Sequence, residues 1–261
     1  MFKRILSEVQ STVHTMQFYF QGEPLLNKHL AEMIALARQQ RIYTIVSTNA
    51  QTITPSVAAK LVQSGLNRII VSIDGFSEES YAAYRVGGNL HKALQGLSNL
   101  AQARAEYGSH LRIELQVLRL KTNEHEWKWI KQHYKQLGAT HLVFKTAQLY
   151  DFENGHPLMP TNERHSRYKK TADGTYVNKK SNRHYSLWTR TYPCARLWSG
   201  CVVTISGDVL PCCYDKEHRY ILGNLSYLTM TEIFQSDRAR LLREQILSGN
   251  NLPMMCRNCD Q

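Results

Sequence analysis

Five short apolar runs, separated by stretches of helical periodicity, constrain this chain more than any other feature. The runs occupy residues 16–20, 43–48, 68–73, 112–118 and 141–144. Between them, apolar residues recur at three- and four-residue steps near 55–64, 90–107 and 126–137. In the last stretch Trp127, Ile130, Tyr134 and Leu137 form one stripe, while Lys128, Lys131 and Lys135 fall on the opposite side. Another helix follows the first run, with Leu26, Leu30, Met33, Ile34 and Ala37 on one face. Strands alternating with helices make an α/β protein, because parallel neighbours need helical crossovers. Periodicity alone admits both an open sheet and a barrel. The chain opens on a helical pattern, Phe2, Ile5, Leu6, Val9 and Val13, so the repeat starts halfway through a strand–helix unit.

In either architecture ligands gather at the C-terminal ends of the strands. The polar residues expected there are Gln21-Gly22-Glu23-Pro24, Ser47-Thr48-Asn49, Ser72-Ile73-Asp74-Gly75, Arg119 and Lys145. Each also has an ordinary structural reading. Pro24 suits the first turn of a helix, Asp74-Gly75 suits a turn, and Ser77 followed by Glu79 and Ser80 suits a helix N-cap. Their shared position on successive strand ends is what points to a pocket.

The cysteines carry a second message. All six lie between Cys194 and Cys259, and the first 193 residues hold none. A secreted disulfide scaffold spreads its cysteines through a short chain behind a signal segment. Here the opening MFKRILSEVQ lacks an apolar signal core, and no apolar run approaches the ~20 residues of a membrane span. A cytoplasmic protein with a local thiolate site is the expectation. Cys256-Arg257-Asn258-Cys259 is a chelating pair. The stretches 202–205 and 209–212 read as a hairpin through Ser206-Gly207-Asp208, placing Cys212 at the end of its return strand. Thr229 and Glu232 form a capping box for a helix whose apolar face includes Ile233, Leu241, Leu242 and Ile246. Cys194, Cys212, Cys256 and Cys259 can therefore converge, on structural zinc or on an iron–sulfur cluster. Cys201 reads as a core thiol. Cys213 points away from Cys212 along the strand. Asp215 reads as serving the turn after the hairpin.

These residues together resemble the radical S-adenosylmethionine (SAM) enzymes that carry a C-terminal SPASM or twitch auxiliary-cluster domain. Gln21-Gly22-Glu23-Pro24 resembles the family's Gly-Gly-Glu-Pro motif, with Gln in the first position. Ser72-Ile73-Asp74-Gly75 resembles its strand-four motif. Cys194, Gly207, Cys212-Cys213 and Cys256-x-x-Cys259, with Arg196-Leu197-Trp198 and Leu222-Gly223-Asn224, resemble the auxiliary domain. The resemblance implies a partial (β/α)6 TIM-like barrel missing its first strand, followed by a small α+β cysteine-rich domain. It implies Gly22 and Glu23 at the SAM amine, and Ser72 and Asp74 near its carboxylate and ribose. It implies one auxiliary 4Fe–4S cluster on Cys194, Cys212, Cys256 and Cys259, a peptide or small-molecule substrate, and a reductant protein. The family's Cys-x3-Cys-x2-Cys loop, which holds the cluster that cleaves SAM, has no counterpart ahead of Cys194.

The expected domains are an incomplete barrel over 1–150, a basic connector over 151–190 and the auxiliary-cluster domain over 191–261. Three functions follow in order of preference. The first is a shortened radical SAM protein unable to cleave SAM as written. The second is a non-catalytic iron–sulfur binding or electron-transfer module. The third is a zinc-stabilised nucleic-acid binder. The third draws on the net charge of +11 and on residues 163–190, where eight Lys or Arg and two acidic residues are interspersed with Tyr168, Tyr176, Tyr185 and Trp188. Excess positive charge does not by itself select a nucleic acid.

Overall fold

The five apolar runs form one parallel sheet in strict chain order, and that order decides which face the helices cover. The computed structural model describes residues 1–149, 152–179, 194–248, 252–257 and 259. The elements of its first half are α1 (Phe2–Val9), β1 (Thr15–Gln17), α2 (Leu30–Gln39), β2 (Tyr43–Thr48), α3 (Pro55–Gln63) and β3 (Arg68–Ser72). They continue with α4 (Glu78–Ala82), α5 (Leu90–Glu106), β4 (Arg112–Arg119), α6 (Trp127–His133) and β5 (His141–Thr146). Two compact units result: Val13–Arg167, and Met1–Thr12 together with Tyr168–Gln261.

Right-handed crossovers between sequential parallel strands place the helices that connect them, α2, α3, α5 and α6, on one side of the sheet. The core of the Val13–Arg167 unit lies there. Val46, Ile69, Val71, Ile113, Leu115 and Val117 from the strands meet Ile34, Leu61, Ala93, Leu97, Leu100 and Ile130 from the helices. Alternation along the strands sends Ser47, Ile70, Ser72, Glu114, Gln116 and Lys145 to the other face. The register pairs Ser72 with Gln116 and Leu118 with Lys145 on that face. Thr54 caps α3 by accepting from the Val57 amide, with Pro55 at the first helical position. Asn89 caps α5 through the Lys92 amide. Gly96 of α5 lies so close to Ala50 that a Cβ there would fall 2.1 Å from the Ala50 carbonyl oxygen.

Helix α1 does not open the sheet unit as its sequence position suggests. Its buried residues Leu6 and Val9, with Ile5, belong to the C-terminal unit. Glu8 accepts the Met230 amide at 2.7 Å and Arg4 donates to the Leu228 carbonyl at 3.1 Å. The further elements are β6 (Tyr168–Lys170), β7 (Tyr176–Asn178), α7 (Arg196–Ser199), β8 (Val202–Val203), β9 (Asp208–Leu210), β10 (Gly223–Asn224), α8 (Met230–Gln235), α9 (Asp237–Ser248) and α10 (Met254–Arg257). The hairpin read from the sequence is β8–β9, extended by β10 into a three-stranded antiparallel sheet. Leu197, Val209, Leu222, Leu225, Ile233, Leu242 and Ile246 form the core.

Two helical expectations are corrected. The helix after the capping box is broken in two at Ser236, whose backbone is extended, so Leu241 on α9 is 55% exposed instead of buried. Leu26 lies in a 3-10 turn, Pro24–Leu26, ahead of α2 and is 73% exposed. Of the basic stretch, residues 180–190, including Tyr185 and Trp188, lie outside the described residues. No helix among the described residues is long and apolar enough to cross a membrane.

Candidate metal centre and strand-end site

Cys194 precedes α7, Cys212 follows β9, and Cys256 and Cys259 lie in and after α10. All four border one small pocket open to solvent, together with Arg196, Leu197, Tyr214, Ile246 and Met255. The thiols stand around this pocket and are not gathered at a point. Among the described residues no three His, Cys, Asp or Glu side chains are grouped to hold a single metal ion. A zinc ion with Zn–S bonds of 2.3 Å needs its sulfurs roughly 4 Å apart. Four thiols ringing a pocket with apolar walls are the donor set of a cuboidal iron–sulfur cluster, so the residues present fit that group.

Electrostatics distinguish the six cysteines. Burial, reinforced by Cys259 and Cys194, pushes the Cys256 thiol up to about 12. The Cys212 thiol is raised, first by its hydrogen bond to Cys213 and then by burial. Cys213 is lowered to about 6 by the same hydrogen bond, with Arg196 and Lys216 favouring its thiolate. Arg196 Nη1 donates to Cys213 Sγ at 3.4 Å. Protons on buried thiols such as Cys256 are lost on metal binding, because a bound cation reverses the local preference for the neutral form. Cys201 packs in the core, 4.0 Å from Met230 Sδ, and burial pushes it up to about 11. Asp215 is buried and accepts the Arg219 and Tyr220 amides at 2.9 Å, which makes it a turn residue.

At the strand ends, Gly22 has φ +78°, a conformation that a side chain strains, and a Cβ there would meet open space. The Glu23 carboxylate ties β1 to β2. It accepts from Thr48 Oγ1 at 2.7 Å, from the Asn49 amide at 2.9 Å, and from the Leu25 amide in its own turn. Ser72 ends β3 nearly buried. The Asp74 side chain is fully enclosed. Its Oδ1 accepts the Leu118 amide at 2.7 Å and its Oδ2 accepts Arg85 Nε at 2.8 Å. Asp74 thus joins the ends of β3 and β4 and presents no free carboxylate.

Arg119 does not face the helix-free side of the sheet. Its guanidinium carbon lies 5.6 Å from the Trp127 ring centre and 5.4 Å from that of Phe144, on the helix side, and Nη1 meets His165 Nδ1 at 2.9 Å. Lys145 is exposed, on the helix-free face. Sequence reading named Arg196 only within a motif of the auxiliary domain, and it did not single out Arg85, the partner of Asp74, or Gln116, the register neighbour of Ser72. Gln116 could have been found from alternation along β4 and its register with Ser72. Arg85 lies 11 residues past Asp74 and carries no local signal.

Comparison with known proteins gives the class that this geometry belongs to. The radical SAM superfamily model matches residues 3–113, and the SPASM iron–sulfur cluster-binding domain matches residues 194–260. The chain belongs to the radical SAM superfamily and carries a SPASM domain. Fe-coproporphyrin III synthase of Methanosarcina barkeri is 30% identical over 117 residues, 45% of this chain and 29% of that protein. Mycofactocin maturase MftC of Mycolicibacterium smegmatis is 35% identical over 82 residues, 31% of this chain and 21% of that protein. The chain thus matches less than a third of the length of these relatives. Among solved structures, anSMEcpe with bound AdoMet and Cp18Cys peptide superposes with a TM-score of 0.61 at 18% identity, over 99% of this chain and 79% of that one. BtrN in complex with AdoMet and 2-DOIA gives 0.57 at 19% identity, over 100% and 78%. Both likenesses are of fold.

Proposed function

We propose that this chain is a radical SAM/SPASM-type protein that binds one auxiliary 4Fe–4S cluster through Cys194, Cys212, Cys256 and Cys259. It derives from an enzyme that modifies a peptide or small metabolite. The observation that carries this reading is the single pocket bordered by those four thiols. The cluster supplies one-electron transfer when bound. This chain's residues hold it and wall it with Leu197, Ile246 and Met255. The names of the relatives support the substrate class, since one is a mycofactocin maturase and the other an Fe-coproporphyrin III synthase.

SAM binding is the second part of the proposal. Gly22 lets the backbone turn at the end of β1, and Glu23 fixes that turn against β2. Ser72 offers a hydroxyl for the ligand's carboxylate. Asp74 acts from behind, by holding Arg85 and the end of β4 in place. Residues 1–261 by themselves do not cleave SAM, because no cysteine precedes Cys194 to hold the cluster that delivers the electron.

A second reading is an electron-transfer module that keeps the auxiliary cluster without SAM. It is favoured by the internal hydrogen bonds that occupy the carboxylates of both Glu23 and Asp74. Titration calorimetry of SAM into anaerobically prepared protein separates the two. Binding that is lost in Ser72→Ala supports the first, and no heat of binding supports the second. Colourless protein carrying one zinc per chain and binding nucleic acid with a steep salt dependence contradicts both.

A further inference from the structure

We propose that Arg196 sets the reduction potential of the cluster held in the Cys194–Cys212–Cys256–Cys259 pocket, favouring its reduced form. This rests on the cluster reading above. Among the described residues lining the pocket, Arg196 is the only charged one; the others are thiols, Tyr214 and apolar side chains. It follows Cys194 by two residues in the first turn of α7, which anchors its backbone beside one thiol. Its guanidinium is fixed from outside the ring of four by Cys213 Sγ at 3.4 Å. Cys213 itself does not border the pocket, so this contact holds the cation at the wall without taking a ligand position. Guanidinium stays charged at every working pH. A four-thiolate cluster becomes more negative with each electron it accepts, and a fixed neighbouring cation stabilises that extra charge. Arg196 is exposed to solvent, and screening limits the effect.

The test uses the full chain, reconstituted anaerobically with iron and sulfide. The cluster is titrated with dithionite, the electron donor, and the reduced form is followed by electron paramagnetic resonance. Wild type, Arg196→Gln and Arg196→Lys are compared at equal iron content. Arg196→Gln is expected to shift the equilibrium at least threefold against the reduced form, about 28 mV on the scale of 59 mV per tenfold for one electron. Arg196→Lys, which keeps the charge, is expected to stay within threefold of wild type. If Arg196→Gln loads poorly, Arg196→Met, which keeps the apolar stem, takes its place with the same prediction. Full iron content with a shift under threefold in the uncharged variant overturns the proposal. So does an equal shift in the Lys and Gln variants. Wild-type protein that binds no iron overturns the cluster reading itself, and the proposal with it.

Discussion

Arg85 grips one oxygen of Asp74 with two nitrogens, Nε at 2.8 Å and Nη2 at 2.6 Å. The other oxygen of that carboxylate accepts the Leu118 amide. The Asp74 side chain is 1% exposed, so Arg85 takes the place of water around its carboxylate. Arg85→Met strands a buried carboxylate and is expected to destabilise the Val13–Arg167 unit by about 3–5 kcal/mol. Urea unfolding followed by tryptophan fluorescence checks this. A midpoint equal to wild type would show that the pair has no structural weight.

Gly96 is a packing constraint of a different kind. A Cβ there would meet the Ala50 carbonyl oxygen at 2.1 Å, and this neighbour is backbone and cannot swing aside. Gly96→Ala gains helix propensity but forces α5 away from the chain after β2. A net loss of about 1–3 kcal/mol is expected from overpacking. Increased stability in urea would contradict it.

Cys201 makes stability depend on alkaline pH. Burial raises its thiol from 9.0 to about 11, so the folded state keeps the proton where the unfolded state gives it up. Stability from this group is complete below pH 9 and falls as pH rises from 9 to about 11, by roughly 2–3 kcal/mol in total. Cys201→Ala is expected to flatten that slope. An unchanged slope in the variant would place its origin elsewhere.

The vicinal pair Cys212-Cys213 divides its labour. Cys212 borders the pocket and Cys213 faces Arg196. Cys212→Ser is expected to lose most bound iron, and Cys213→Ser to keep it, as measured by iron per chain after anaerobic reconstitution. Equal losses in the two variants would assign both residues to the cluster.

Much of this was legible in the sequence because period-2 and period-3.6 patterns report burial directly. The run 43–48 is the strand Tyr43–Thr48, and the stretch 55–64 is the helix Pro55–Gln63. The Thr229–Glu232 capping box forms as expected. Patterns cannot say which partner an amphipathic helix finds. Phe2–Val9 reads as the start of the barrel repeat, yet its capping carboxylate Glu8 serves a helix 222 residues away. Nor do patterns separate a carboxylate that meets a ligand from one that locks two strand ends. Asp74 has a ligand residue's position and a structural residue's hydrogen bonds. The four thiols that border the pocket stand out in the sequence by residue type and clustering, a pattern that leaves zinc and iron–sulfur both open.

Iron and acid-labile sulfide per chain, measured on anaerobically reconstituted protein, test the central claim most directly. The account predicts about four of each, as in a 4Fe–4S cluster with four thiolate ligands. Tightly bound zinc with no sulfide, or iron content unchanged when Cys194, Cys212, Cys256 and Cys259 are all replaced by Ala, would contradict it.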